Sequence, residues 1–425
     1  MRKAIALIDA NNFYATCEQS LDPSLMGRAV VVLSNNDGCI VARSAQARAL
    51  GIAMGTPYFK VKAQLEQCGV IVRSSNYALY GDMSQRLMSL IKAEVEELEI
   101  YSIDEAFASL SRPTNGTLKE WAQQLRMRIR RNLGLTVAIG LGNSKGQAKL
   151  ANQLAKTLPS QACIFDLGLS TEADQWLESI AIEKVWGIGR KLAIWCRQRG
   201  VTNALLLRDM PSKELQAKCG VVGLRLQREL HGETCLDLEK DQRPKQETCV
   251  SRSFSRGITT REELEQAVAT FVVRAAEKLR SQEQRAGAIT VFTRTNPFMS
   301  SFYSRAESTK LNMPSNDTAD LLAAAGPLVK TIYRQHKVLT KAGVIMQDLQ
   351  GTSHLQHHLL SDYDIADLQR RERLMQTVDQ LNQHYGHNTV RWAKCGLEQR
   401  WLMRRQQLSH ASTTRLNDIP IAKAQ

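Results

Sequence analysis

Two adjacent carboxylates, Asp104 and Glu105, lie within the otherwise apolar run Ile100-Tyr-Ser-Ile-Asp-Glu-Ala-Phe107. The isoleucines and aromatic residues around them predict a strand-like segment that is half buried in a sheet. Like charges held close together in such a site resist joint ionisation, and a divalent cation would remove that difficulty. A hairpin turn whose acidic tip faces water would explain the same pair without any chemistry.

A third carboxylate, Asp9, ends the apolar run Ala4-Ile-Ala-Leu-Ile8, which is typical of a central strand covered on both faces. Mg²⁺ prefers oxygen ligands and is often shared with substrate phosphates. Together with Asp104 and Glu105, Asp9 would supply a site for two such ions, which could activate an attacking hydroxyl and stabilise a departing pyrophosphate. Alternatively, Asp9 could simply cap the helix predicted over Phe13–Leu21.

The composition restricts the class of protein that holds these carboxylates. A chain of 425 residues with 43% hydrophobic and 23% charged residues is typical of a folded soluble protein with two to four domains. The net charge of +14 favours a polyanionic partner such as nucleic acid, although basic proteins without such a partner exist.

The lack of a recognisable targeting signal and the distribution of cysteines predict a cytoplasmic protein. No uncharged apolar stretch reaches the roughly 18 residues of a transmembrane helix, and the first apolar run ends at Asp9, too early for a signal peptide. We therefore expect no contact with a membrane. The nine cysteines are scattered without a CxxC spacing, which indicates reduced thiols instead of disulfides or a zinc site.

The run Asp9-Ala-Asn-Asn-Phe-Tyr-Ala-Thr-Cys-Glu18 and the run from Tyr101 to Phe107 resemble motifs of the Y-family translesion DNA polymerases. Within that family the chain resembles the UmuC group, which includes the catalytic subunit of bacterial DNA polymerase V and plasmid-borne relatives. The likeness extends from Asp9 to about Arg415. It implies an error-prone, template-dependent DNA polymerase that acts in SOS-type damage tolerance on primed DNA and dNTPs.

The resemblance also implies roles for individual residues. It places Tyr14 where an aromatic ring blocks a ribose 2′-hydroxyl, and it places Arg48 and Lys156 where basic residues contact the triphosphate. Both cations could instead be solvated surface charges. Lys156 shares one polar face of a predicted helix with Lys145, Lys149 and Asn152, and Arg43 directly precedes the helix that contains Arg48. The chain departs from the pattern at Ala45, where many members have a tyrosine three residues before the basic residue. The implied ligands of two Mg²⁺ ions are the carboxylates of Asp9, Asp104 and Glu105 and the carbonyl of Ala10.

The implied fold class is a multidomain α+β protein, a right-hand polymerase with palm, fingers, a small helical thumb and an α+β little finger. The expected boundaries are palm 1–20 and 75–169, fingers 21–74, thumb 170–232, linker 233–247, little finger 248–349 and a partner-binding tail 350–425.

The predicted thumb contains Val185-Trp-Gly-Ile-Gly189, the hairpin of a helix-hairpin-helix motif. Such a turn offers backbone N–H groups to a DNA phosphate, although helix pairs often turn on glycine without binding DNA. The expected DNA contacts here are Gly187, Gly189, Arg190 and Lys191.

The predicted little finger has the order strand, helix, strand, strand, helix, strand, which favours an α+β domain with one sheet face against DNA. Each expected phosphate contact could also be an ordinary surface charge. These expected contacts are Arg252, Arg256, Arg294 and Lys310.

The C-terminal tail is expected to bind partners. Gln356-His-His-Leu-Leu360 lies where related chains have a motif that docks on the β sliding clamp, with Gln356, Leu359 and Leu360 as its anchors. The basic stretch 401–415 resembles the UmuC tail, where contact with a UmuD′-like dimer or a RecA-type filament is expected, although it could be a plain surface helix.

Two other functions remain open from the residues alone. Another palm-type nucleotidyl enzyme, such as a cyclase, would share the carboxylate sheet but would not need the Gly187/Gly189 hairpin. A catalytically silent DNA-binding scaffold that recruits repair factors would need neither the carboxylates nor the basic residues expected at the triphosphate.

Overall fold

A computed structural model describes most of the chain, in six segments: residues 3–111, 117–158, 163–239, 244–352, 365–410 and 412–419. The chain forms two compact units. The first unit comprises Met1–Gln242 and Gln406–Gln425, and the second unit comprises Arg243–Arg405. Within the segments that the structure describes, no helix combines the length and the apolar character needed to cross a membrane.

The first unit alternates strands and helices. Its strands are β1 (Lys3–Ala10), β2 (Val30–Leu33), β3 (Ile40–Arg43), β4 (Ile71–Ser74), β5 (Glu97–Ile100), β6 (Glu105–Ser111), β7 (Val137–Gly142) and β8 (Ile164–Asp166). Its helices are α1 (Phe13–Leu21), α2 (Ala45–Ala49), α3 (Tyr58–Gln67), α4 (Tyr77–Lys92), α5 (Leu118–Leu133), α6 (Lys145–Thr157), α7 (Ala173–Ser179), α8 (Arg190–Arg197), α9 (Ala204–Asp209) and α10 (Ser212–Leu230).

A five-stranded sheet in the order β5-β6-β1-β7-β8 forms the centre of the first unit, and a three-stranded sheet in the order β3-β2-β4 forms a second layer. Strand β1 is antiparallel to both β6 and β7. Its residues from Ala4 to Ala10 are all buried. Ala4, Ala6 and Ile8 pack into one hydrophobic core, while Ile5 and Leu7 pack into another. The prediction of a central strand covered on both faces is confirmed.

The run from Ile100 to Phe107 is a hairpin and not one continuous strand. Strand β5 ends at Ile100, residues 101–104 form the turn, and β6 begins at Glu105. The expectation of a strand-like run was therefore wrong, because the adjacent carboxylates lie at the reversal of the chain. The alternative, a hairpin turn, is correct for the path of the chain, but its acidic tip does not simply face water, since Asp104 and Glu105 are both half-buried.

Helix α6 packs directly on the central sheet. Gly140 of β7 allows this approach, because a Cβ atom at that position would collide with the backbone of Asn152. The Asn152 side chain donates from Nδ2 to the carbonyl oxygens of Leu7, at 3.3 Å, and Ala138, at 2.8 Å. The helix is thereby fixed against the strand that ends at Asp9.

Helices α7 to α10 enclose a separate hydrophobic core with one side of α6. The chain that follows is bonded to the first unit. The backbone N–H groups of Cys235 and Leu236 donate to Glu229 Oε1, and the N–H of Glu239 donates to Glu99 Oε2. Residues 233–239 of the expected linker are therefore docked, since their backbone N–H groups find acceptors within the first unit.

The second unit has one antiparallel sheet in the order β11-β10-β12-β9. Its elements confirm the predicted alternation from the first strand to the closing strand. They are β9 (Thr248–Ile258), α11 (Arg261–Ser281), β10 (Gln284–Arg294), β11 (Ser304–Ser315), α12 (Thr318–Ile332), β12 (Leu339–Gly351) and α13 (Ile365–Tyr385). Helices α11 and α12 pack with one face of the sheet around a hydrophobic core.

The residues expected to form one C-terminal tail are divided between the units. Helix α13 docks on the second unit, where Asp379 accepts two hydrogen bonds from the Arg280 guanidinium at 2.6 and 2.7 Å. Arg371 of the same helix pairs with Asp317 and Asp320. The chain from Gln406 onward belongs to the first unit. Complementary charges and backbone bonds thus hold the described parts of the expected partner-binding tail, α13 on the second unit and the chain from Gln406 on the first.

Candidate active site

The antiparallel pairing of β1 and β6 brings the carboxylates together. Asp9 is the second-last residue of β1, and its register partner across the sheet is Glu105, the first residue of β6. Asp104 precedes Glu105 in the turn, and its carbonyl oxygen accepts a hydrogen bond from the N–H of Ala10 at 2.9 Å. Asp9 does not cap helix α1, because the N-cap position of that helix is occupied by Asn12.

Ser102 organises the turn that presents Asp104. Its hydroxyl donates to Asp104 Oδ1 at 2.6 Å and accepts from the backbone N–H of Asp104 at 3.3 Å and of Glu105 at 3.0 Å. Ser102 was not among the predicted site residues. A serine two residues before an aspartate in a turn was the available signal.

Asp9 and Glu105 share a hydrogen bond. The pKa of Asp9 is raised to about 7, first by burial and then by the hydrogen bond with Glu105, while Lys156 opposes the change. Burial also acts to raise the pKa of Glu105, but hydrogen bonds with Asp9 and Lys149 outweigh it, so that this pKa is lowered. In the described segments no three carboxylate, histidine or cysteine side chains converge as a ready-made metal cage.

Three lysines of α6 each pair with an acidic residue of the sheet. Lys145 Nζ lies 2.5 Å from Glu99, Lys149 Nζ lies 2.7 Å from Glu105, and Lys156 Nζ lies 2.6 Å from Asp9. Their spacing of four and seven residues covers about three helical turns along one face. This face, which the sequence identified as polar, is turned toward the sheet, and Lys145 is buried.

Lys149 is also enclosed by aromatic rings. Its Nζ lies 4.3 Å from the ring centroid of Tyr101, 5.7 Å from that of Phe107 and 5.9 Å from that of Trp186. Such contacts hold a cation by the negative faces of the rings. Lys149 was seen in sequence only as part of a polar helix face, yet it joins Glu105 to the Tyr101 ring.

A single cavity of about 360 Å³ lies in front of these carboxylates, within the size range typical of small-molecule sites. Six of the seven residues expected to hold metal or nucleotide line it, and the seventh, Glu105, is bonded to Asp9. The six lining residues are Asp9, Ala10, Tyr14, Arg48, Asp104 and Lys156.

Tyr14 forms part of one wall of the cavity. Its ring stacks on the buried Tyr80 with a centroid distance of 4.4 Å and an interplanar angle of 14°, and Tyr77 meets it edge-on at 6.3 Å. Burial raises the pKa of the Tyr14 hydroxyl, which stays protonated. The ring is therefore fixed from behind by aromatic packing.

Two arginines, Arg43 and Arg48, also line the cavity. Arg48 is exposed, and its Nη2 donates to Asn12 Oδ1 at 3.0 Å. The Arg43 guanidinium donates to the carbonyl of Ile52, while its buried Nε has no acceptor among the described residues. Arg43 was noted in sequence only as the neighbour of the helix that carries Arg48.

The expected thumb contacts lie at an exposed turn. Gly187 has a φ of 87°, a conformation that favours glycine, and Gly189 precedes the first turn of α8. Arg190 and Lys191 are exposed at the start of this helix, while the intervening Ile188 is buried. The buried Ile188 therefore anchors the turn, and the side chains of Arg190 and Lys191 face solvent.

The four expected contacts of the second unit do not share one face. Arg294 and Lys310 lie on the same face, since their register positions on β10, 294 and 288, differ by an even number. Arg252 is the register partner of Ala342, which is buried in the core between the sheet and the helices. Arg252 therefore lies on the face of the sheet that packs against the helices. Arg256 forms an ion pair with Glu263. The expected clamp anchors, Gln356, Leu359 and Leu360, lie outside the described residues.

Comparison with known proteins gives matches along most of the chain. The model of the impB/mucB/samB family matches residues 8–153, and the model of that family's C-terminal domain matches residues 245–359. A domain of unknown function, DUF4113, matches residues 372–422.

Two curated relatives are similar over their whole length. UmuC of Salmonella typhimurium is 40% identical over 418 residues, which cover 97% of this chain and 99% of that protein. SamB of Salmonella typhimurium is 38% identical over 424 residues, which cover 98% and 99%. A protein named DNA polymerase IV 2, from Mesorhizobium japonicum, is 27% identical over 412 residues, which cover 92% and 94%.

Solved structures support the same fold. A Y-family DNA polymerase chimera superposes with a TM-score of 0.63 at 20% identity, covering 81% of this chain and 98% of that chain. DinB from Sulfolobus solfataricus superposes with a TM-score of 0.51, at the same identity and coverage. The expected right-hand α+β fold is confirmed. The chain belongs to the impB/mucB/samB family, the UmuC group of the Y-family DNA polymerases.

Proposed function

We propose that the protein is an error-prone, template-dependent translesion polymerase that adds deoxynucleotides to a primer opposite damaged bases. The primer 3′-hydroxyl gives up its proton to water, and its oxygen bonds to the α-phosphorus of the dNTP. The bond from that phosphorus to the oxygen bridging to the β-phosphate breaks, and pyrophosphate leaves with the electron pair. The observation that carries this proposal is the convergence of Asp9, Tyr14, Arg48, Asp104 and Lys156 on one cavity. The similarity to a protein named as a DNA polymerase supports it.

The residues of the cavity fit two Mg²⁺ ions. The groups available are carboxylate and carbonyl oxygens, which hard cations prefer, and the shared hydrogen bond of Asp9 and Glu105 marks a place where a cation would replace a proton. The proposed ligands are Asp9, Asp104, Glu105 and the carbonyl of Ala10. When bound, the ions supply Lewis-acid stabilisation of the charge that develops on the reacting phosphate.

The basic residues of the cavity hold the nucleotide in this proposal. Lys156 sits beside Asp9 and reaches solvent, so its ammonium group can exchange the carboxylate for a phosphate oxygen. Arg48 offers a planar set of donors that suits phosphate oxygens. Tyr14 excludes a ribose 2′-hydroxyl sterically, because the Tyr80 ring behind it prevents retreat.

The remaining regions have proposed roles in DNA and partner binding. The five-stranded sheet serves as the palm, the three-stranded sheet as the fingers, α7 to α10 as the thumb and the second unit as the little finger. The Gly187/Gly189 turn contacts duplex phosphates without reading sequence. The proposed partners are a UmuD′-like dimer, a RecA-type filament and, through Gln356, Leu359 and Leu360, the β sliding clamp, in an SOS-type response.

Extension of a primed abasic template with Mg²⁺ and dNTPs tests the proposal. Asp104→Asn should lower single-nucleotide insertion by roughly 10²- to 10³-fold. The variant lacks one of the carboxylates proposed to hold the cations that stabilise charge on the reacting phosphate. The matched control is Glu96→Gln, which neutralises an exposed acid of the same sheet region. Each protein is assayed alone and with UmuD′-like and RecA-type partners.

Either of two results would contradict the proposal. Insertion by Asp104→Asn at the rate of the unaltered protein would remove this residue from the metal site. No insertion by the unaltered protein in any combination of partners, despite intact DNA binding, would favour a silent DNA-binding scaffold.

A further inference from the structure

A short C-terminal segment, residues 406–410, is bonded to the first unit; we call it the C-terminal strap. Gln407 and Ser74 are joined at two points, since the Gln407 N–H donates to Ser74 Oγ at 3.0 Å and the Ser74 N–H donates to the Gln407 carbonyl at 2.9 Å. The N–H of Gln406 donates to Asp37 Oδ2 at 3.0 Å. These bonds fix the path of the strap chiefly through its backbone.

The side chain of Ser409 continues the contact inward. Asn76 Nδ2 donates to Ser409 Oγ at 3.1 Å and to its carbonyl at 3.2 Å. Ser409 Oγ donates to Glu18 Oε1 at 3.0 Å. Glu18 belongs to α1 and is only 3% exposed, so that the strap supplies a partner to a buried carboxylate.

The same carboxylate oxygen holds Tyr80. The Tyr80 hydroxyl donates to Glu18 Oε1 at 2.6 Å, and the Tyr80 ring is fully buried. That ring stacks on Tyr14 at 4.4 Å. Contacts between neighbouring side chains therefore connect Ser409 to Tyr14 through Glu18 and Tyr80.

Glu18 depends on these partners. Burial raises its pKa, while the hydrogen bonds from Tyr80 and Ser409 and the charge of Arg73 act in the opposite direction. A buried carboxylate that loses a donor turns toward water or toward its remaining partners. Because Tyr80 shares the oxygen that Ser409 binds, a change at Ser409 is expected to alter the support behind the Tyr14 ring.

We propose that the C-terminal strap is a built-in part of the wall that selects the nucleotide sugar, with Ser409, Glu18 and Tyr80 as positioning residues for Tyr14. The inference rests on the proposed role of Tyr14. It assigns a task to part of the region that matches the domain of unknown function. The strap contacts neither substrate nor reacting atoms and acts through the packed Tyr80 ring.

The test measures sugar discrimination by the full-length protein with its partners on primed DNA. Ser409→Asp places a second carboxylate against Glu18, whereas Ser409→Ala removes the hydroxyl, which donates to Glu18 and accepts from Asn76, without adding charge. Both should lower the ratio of kcat/KM for a dNTP to that for the matching rNTP, by about two- to tenfold for the alanine variant, the effect of one hydrogen bond. The kcat/KM for the dNTP should stay within about twofold of the unaltered value.

Gln407→Asp is the matched control. It adds the same charge two residues away on an exposed side chain, and it leaves the backbone bonds of the strap in place. Discrimination should be unchanged in this variant. An equal fall in Gln407→Asp and Ser409→Asp would mean that added charge near the C terminus, and not the Ser409 bond, causes the effect, and would overturn the inference.

Tyr14→Ala and the double variant Tyr14→Ala/Ser409→Ala separate the inference from the proposed function. If the strap acts through Tyr14, Ser409→Ala lowers discrimination in the unaltered protein but not further in Tyr14→Ala. An additional fall in the double variant would overturn the inference alone. Unchanged discrimination in Tyr14→Ala would overturn the sugar-blocking role itself, whereas a fall in Tyr14→Ala with none in Ser409→Ala or Ser409→Asp would overturn only the role of the strap.

Discussion

Charges are used differently in the two units. In the first unit, the lysines of α6 lie against the central sheet, each within 2.7 Å of one acidic partner. In the second unit, the cations expected to contact DNA are exposed on strands, with Arg294 and Lys310 on one face and Arg252 on the other. The ion pairs of the first unit fix the positions of individual charged groups, whereas the exposed cations of the second unit contribute positive charge that is spread over its surface.

The difference follows from the tasks proposed for the two regions. Transfer of a nucleotide needs charges held in place before the reaction, since preorganised groups cost no rearrangement in the transition state. Binding a DNA backbone without regard to sequence needs only enough positive charge to displace counterions. Single substitutions should therefore have large effects in the first unit and small, additive effects in the second.

Lys145→Met gives the largest expected effect. Lys145 and Glu99 are 4% and 8% exposed, and removal of the lysine leaves the Glu99 carboxylate buried without its counter-charge. The free energy of unfolding, measured by urea denaturation, should fall by about 3–5 kcal/mol.

The exposed pair Arg261–Glu265 of the second unit provides the control for this measurement. Its charged atoms are 3.2 Å apart, but the side chains are 56% and 39% exposed. Arg261→Met should change the free energy of unfolding by less than about 0.5 kcal/mol. Similar losses in Arg261→Met and Lys145→Met would contradict the contrast between buried and exposed charge.

Lys149→Met is expected to have an intermediate effect, on catalysis. Lys149 holds the Glu105 carboxylate at 2.7 Å and lies 4.3 Å from the Tyr101 ring, so its loss frees a proposed metal ligand. We expect kcat for insertion to fall about tenfold, the order of a lost charge-assisted hydrogen bond, with little change in the KM for dNTP.

The conservative variant Lys149→Arg and the surface variant Lys60→Met are the controls for this experiment. Arginine keeps the charge and should retain more activity than methionine, and exposed Lys60 should be replaceable without loss. A Lys149→Met variant that raises KM and leaves kcat unchanged would place Lys149 at the nucleotide and not behind Glu105.

Several strands and helices and the centre of the site could be predicted from local patterns, whereas the right-hand fold as a whole was implied by the resemblance to the Y family. The buried run before Asp9 and the adjacent Asp104 and Glu105 are readable in the chain, and the antiparallel pairing of β1 and β6 brings them together. The strands and helices of the second unit also follow the predicted order, because alternation and helical spacing are local properties.

Other features depend on contacts between distant parts of the chain, which local patterns do not contain. The spacing of Lys145, Lys149 and Lys156 defines one helix face, but a lysine face is equally compatible with solvent and with a row of acidic partners. Nothing local distinguishes Ser409 from other tail serines, although its bond to Glu18 spans 391 residues. The hairpin at Asp104 was given only as an alternative, because isoleucines and aromatic residues favour strands, and the hydrogen bonds of Ser102 that shape the turn cannot be foreseen from those residues.

The smallest expected effects concern DNA binding by the second unit, and they decide which face of its sheet is used. Arg294→Ala and Lys310→Ala should each weaken binding to primed DNA uniformly across sequences and lower the salt slope of log K by about 1, the loss of one phosphate contact. Arg252→Ala should have less effect, because Arg252 lies opposite the buried Ala342 on the face that packs the helices. If Arg252→Ala reduced the salt slope while Arg294→Ala did not, DNA would contact the edge of the sheet near β9 and not the face opposite the helices.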